Sequence, residues 1–247
     1  MMADPLLPWL VPLALVYARI QACLLAMPGI GERLLPIRVR VSVAMALTPL
    51  YAVAAPLTPA PAPPQLAALM AAEIAAGLVL VLMVRVLAMA LDVAATALAQ
   101  SASMSALLGM SDEMPPHPIG NLMHLAGLAV LMAMGLPVMI CQVLTDSFAL
   151  KAPGLWPDIG AVWPAFRMLV GHSFTLALLL ASPFVLGGLL FQLLSGVIAR
   201  VMPAMPVVFV AAPAAILLAL TALALVAPGL LSIWAGNVLA VEPPGLR

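Results

Sequence analysis

From Gln65 to Gly109 the chain carries no proline and a single internal glycine, Gly77, across an almost unbroken apolar stretch. A continuous helix over it would be about 65 Å long at 1.5 Å per residue, about twice the roughly 30 Å hydrocarbon core of a bilayer. Such a segment either projects well beyond the membrane or folds back at "AQSASMS", where no ordinary turn signal stands. The rest of the chain has the same bias: 66% of its 247 residues are hydrophobic and 7% are charged, with mean hydropathy +1.23. Soluble domains carry about 25% charged residues. The sequence therefore predicts an all-α integral membrane protein, with residues 1–247 forming one membrane domain.

Proline and glycine divide the chain into about six apolar segments, 6–28, 36–55, 65–108, 119–150, 165–199 and 207–239. The connectors read "GIGERLLPIR", "PLTPAPAPP", "GMSDEMPPHP", "KAPGLWPDIGAVWP" and "RVMPAMP". The first segment does not fit a secretory signal, since Asp4 precedes it without any Lys or Arg and Arg19 interrupts its apolar core. If every segment crosses, Arg33, Arg38, Arg40 and Arg200 fall on one side, which makes that side cytoplasmic and the N terminus external.

Several function classes lose support at this level. A formal net charge of zero argues against a nucleic-acid surface. Cys23 and Cys141 stand apart within apolar runs and read as small buried hydrophobes. His117 and His124 are seven apart with a proline between them and no carboxylate or thiol at ligand spacing. No HExxH, GxSxG or phosphate-binding loop is present. No catalytic residue, metal or cofactor is expected, and the chain is not read as an enzyme.

The informative polar residues lie inside apolar segments. Glu73, Arg85 and Asp92 occupy the long third segment; a central charge costs about 2.5–3.5 kcal/mol on insertion scales, which several leucines offset. Arg85 and Asp92 share a helical face but sit about 10 Å apart along the axis, too far for a direct bridge. They are read as packing against neighbouring helices or subunits. The alternative is an ion or proton path, the basis of a self-contained small-solute or ion transporter. Ala97, Ser101, Ser105 and Gly109 recur every four residues as a small-residue stripe for close helix approach, with a hydrophilic lining as the other reading. The connector containing Met110, Ser111, Asp112, Glu113, Met114, Pro115 and Pro116 is either an ordinary loop or a mobile element at the mouth of a passage. Pro203 and Pro206 each remove a backbone donor, so 199–210 reads as the bend of a hairpin with Arg200 at its polar end.

Taken in order, these elements resemble the FliR family of flagellar and type III secretion export-gate proteins. "ARIQACLLAMPGIGERLLPIRVRVSVAMALTP" is similar to the family's opening, through Arg19, Pro28, Glu32, Arg33, Pro36, Arg38 and Arg40. "GVIARVMPAMPVVFVAAPAAILLAL" resembles its later signature, through Arg200, Pro203, Phe209 and Pro213. Between them lie "TDSFALKAPG" and the proline-centred "SFTLALLLASPFVLGGLL", with Pro183 as a helix break. Ala204 stands where the family usually has glutamine, and "LAQSASMS" where it reads more like Gly-Gln-x-Met-Gly. The resemblance implies bent helical hairpins arranged like a FliP-like protein fused to a FliQ-like one. It also implies a non-enzymatic subunit that assembles with FliP-like, FliQ-like and FlhB-like partners in membrane lipid and passes unfolded protein substrates. Residues 110–116 would then help plug the closed pore. The implied location is the bacterial inner membrane, at a flagellar basal body or injectisome base.

Overall fold

A computed structural model of the chain describes residues 7–31, 35–52, 62–102, 118–201 and 207–242. Among these residues the regular elements are all α-helices: α1 (Leu7–Ala26), α2 (Ile37–Ala52), α3 (Pro63–Ala102), α4 (Pro118–Ala133), α5 (Leu136–Leu150), α6 (Ile159–Val201) and α7 (Val207–Leu239). Among the described residues seven helices stand where six segments were expected, because "MGLP" divides the fourth. Gly135 adopts φ 109°, which side chains avoid, and caps α5 as Pro137 follows in the first turn, where a missing N–H goes unused.

The third segment does not reverse at "AQS". It continues as one helix of 40 residues, about 60 Å at 1.5 Å per residue. α6 starts six residues earlier than the sequence suggests, because Asp158 caps it: its Oδ1 accepts the Gly160 N–H at 2.9 Å, and its carbonyl accepts those of Ala161 and Val162. The expected break at Pro183 is corrected, since α6 runs through it unbroken to Val201. Pro183 cannot donate to the carbonyl four residues back, Leu179, but the Ser182 hydroxyl donates to that oxygen at 2.9 Å. The neighbouring hydroxyl replaces the lost donor.

Among the described residues three helices are long and apolar enough to cross a membrane, Pro63–Ser101, Ile159–Val201 and Pro213–Leu239, or four if the broken pair α4 and α5 forms one span; Leu10–Ala26 is a shorter apolar helix. The chain divides into two compact units, Met1–Val86 with Gly135–Val170 and Ala240–Arg247, and Leu87–Met134 with Gly171–Leu239. α3 and α6 each contribute one end to each unit. In the first, α1 packs on α2, and Val16, Ile20, Leu24, Val84 and Leu144 are fully or almost fully buried. In the second, α4 packs on α7 around Leu91, Leu98, Met123, Leu131 and Trp234. The Trp234 indole donates to the Leu87 carbonyl at 3.2 Å, so even this large apolar anchor leaves no buried donor unused.

Candidate functional site

The first unit is built around an ion pair with no solvent exposure. Arg19 on α1 and Glu73 on α3 are both 0% exposed, a state that membrane or protein interiors tolerate only when both charges are paired and hydrogen-bonded. Arg19 Nε donates to Glu73 Oε2 at 2.7 Å and Nη2 to Oε1 at 3.1 Å, the two-pronged fit of a planar guanidinium to a carboxylate. Nη1 donates to the Ser147 carbonyl and hydroxyl, each at 3.1 Å, and to the Lys151 carbonyl at 3.4 Å. Those carbonyls end α5, where a helix carries partial negative charge. Glu73 Oε1 also accepts the Gly154 N–H.

Aromatic rings close the remaining side. The guanidinium carbon lies 4.4 Å from the centre of the Phe148 ring, within cation–π range. Tyr51 stacks on Phe148 with centroids 5.4 Å apart and donates its hydroxyl to the Cys141 carbonyl at 3.0 Å. One arginine thus joins α1, α3, α5 and the connector after α5. Gly77 makes the approach possible. A Cβ there would collide with the Arg19 carbonyl and lie 2.9 Å from the Ala22 methyl. Gly77 and Glu73 are four apart and share one helical face, so the same stripe that admits the α1 backbone also receives its charge.

Arg85 follows the same logic on a smaller scale, with Nη1 donating to the Ala26 carbonyl at the end of α1 at 3.0 Å. In the second unit His124 Nδ1 on α4 lies 2.8 Å from Asp92 Oδ1 on α3, the ring donating to the carboxylate. His172 Nε2 on α6 donates to Asn237 Oδ1 on α7 at 2.8 Å, and Asn237 Nδ2 donates to the Ile233 carbonyl at 2.8 Å. Arg85 and Asp92 each meet another helix and not each other. Ser101 is packed against α6, where a Cβ on Gly188 would stand 3.1 Å from the Ser101 Cβ. Ala97 is half-buried on the same helix.

Arg200 is exposed in the last turn of α6, and no described residue pairs with it. Ser105, Gly109, residues 110–116, Pro203 and Pro206 lie outside the described residues. Cys23 is buried as expected, whereas Cys141 is exposed; both are free thiols. Among the described residues no three His, Cys, Asp or Glu side chains come together. The sequence marks Arg19, Glu73 and Gly77 separately, and the i,i+4 spacing of Glu73 and Gly77 is the signal that could have joined them.

This geometry defines a class: an integral membrane protein of long helices whose inward-facing charges are committed to holding helices together. A sequence profile described as "Bacterial export proteins, family 1" matches residues 10–240. The chain belongs to that family, in which the FliR proteins are grouped. It is 28% identical over 226 residues to the "Flagellar biosynthetic protein FliR" of Caulobacter vibrioides, a match that covers 90% of each protein.

Proposed function

We propose that the chain is a non-enzymatic subunit of a flagellar-type protein export gate, joined to FliP-like and FliQ-like subunits around a channel for unfolded substrates. The observation that carries this reading is the exposed apolar length of the helices. α6 has 43 residues, and Trp163, Leu178, Leu189, Leu194 and Val201, spread along it, are all more than half exposed. At 1.5 Å per residue it is about 65 Å long, so fitting a roughly 30 Å core would require a tilt of about 60°, beyond the roughly 40° reached by membrane helices. Apolar surface that lipid cannot cover needs protein to cover it. α3 exceeds the bilayer for the same reason, with Leu78, Leu82, Met89 and Val93 exposed.

The charges weighed for an ion path suit a subunit more than a transporter, because Arg85 is engaged by the Ala26 carbonyl and Asp92 by the His124 ring, each tying one helix to another. In this reading residues 110–116 help close the channel. Replacing them with a Gly/Ser linker of equal length is expected to make cells leaky to small ions while leaving assembly intact. Unchanged permeability would remove the closing role from that connector.

A further inference from the structure

We propose that the cavity beside the Arg19–Glu73 pair is a binding site for a zwitterionic aminophospholipid of the phosphatidylethanolamine type. The cavity holds about 360 Å³, within the roughly 300–1,000 Å³ range of small-molecule sites. Its walls are apolar and come from three helices and a connector: Val79 and Leu80 of α3, Leu150 of α5, Leu155, and Val162 of α6. An acyl chain satisfies such walls.

Two charged residues in the lining select the headgroup. Lys151 and Asp158 both line the cavity, and among the described residues neither forms an ion pair. Arg19 also lines it, but Glu73 already neutralises that charge. One cation and one anion without an ion-pair partner, the anion also capping α6 through the Gly160 N–H, match a phosphate and a primary ammonium carried by the same molecule. A purely anionic headgroup would find its phosphate on Lys151 and be repelled by Asp158.

The surroundings place this site at headgroup depth. Trp156 and Trp163 are 60% and 63% exposed, and they stand close in sequence to Lys151, Asp158 and an exposed Arg167. Exposed tryptophans interleaved with charged residues mark the boundary between membrane and water. A tail lying against Leu80, Leu150 and Val162 would cover apolar wall that the chain leaves open, so the lipid acts as part of the fold of the first unit.

The test uses the full chain in nanodiscs of equal phosphatidylethanolamine and phosphatidylglycerol, followed by detergent extraction and native mass spectrometry. The wild type is expected to retain the aminophospholipid about tenfold over phosphatidylglycerol, the combined preference of two partly exposed charge contacts. Lys151→Gln with Asp158→Asn is expected to abolish the preference. Ala161→Phe, at an exposed position on the cavity wall, is expected to expel the lipid while helix content by circular dichroism stays unchanged. Equal retention of both lipids by the wild type would overturn the proposal. So would an unaltered lipid load in Ala161→Phe, or a partner subunit's side chain found in the cavity of the assembled complex.

Discussion

A guanidinium with no solvent access persists in this apolar protein because a carboxylate, a hydroxyl and two helix-terminal carbonyls all face it. Removing one partner leaves the other charge buried alone, which typically costs about 3–5 kcal/mol, whereas replacing both with apolar groups can be neutral. Glu73→Gln should therefore lower the unfolding midpoint in detergent far more than the double substitution Arg19→Met with Glu73→Leu. Equal losses would mean that packing, and not charge, dominates there. Gly77→Val tests the approach itself. Its branched side chain would meet the Arg19 backbone, and it is expected to separate α1 from α3 and expose the ion pair to hydrogen exchange. The sequence makes Arg19 and Glu73 visible as charges out of place, but not as partners. They are 54 residues apart, and only the tertiary crossing at Gly77 brings them together.

At the scale of elements, hydrophobic pattern and punctuation locate nearly every helix but misjudge three boundaries. Gly135 is hidden inside a long apolar segment, although Gly-Leu-Pro is a stop-and-start signal. Asp158 sits in what reads as a connector, yet it is the cap that begins α6. Pro183 reads as a break because its own chemistry forbids a donor; the rescue by Ser182 depends on a neighbour's rotamer, which no pattern reveals. Two substitutions follow. Nothing lies within 4 Å of a Cβ placed on Gly135, so Gly135→Ala should cost only its left-handed backbone strain, about 1–2 kcal/mol. Ser182→Ala should leave the Leu179 carbonyl without a donor and destabilise by about 1 kcal/mol. Thermal unfolding of the purified variants measures both, and a Ser182→Ala protein as stable as wild type would show that Pro183 is tolerated without the hydroxyl.

At the scale of the whole molecule, membrane class and all-helical architecture are legible in composition and apolar segmentation. Family membership comes from the order of short signatures, which the match over residues 10–240 supports. The pairing of Asp92 with His124, and of His172 with Asn237, is not legible, since they join residues 32 and 65 positions apart whose facing depends on how two successive helices pack. What length and exposure demand is company: α3, α6 and α7 have 40, 43 and 33 residues and keep large apolar side chains on their outer faces. The most direct test compares this chain expressed alone with the same chain co-expressed with FliP-like and FliQ-like subunits, measuring monodispersity and unfolding midpoint in the same detergent. The expected result is aggregation or rapid loss alone and one stable complex together. A stable, monodisperse monomer unaffected by those partners would contradict the assignment to an export gate.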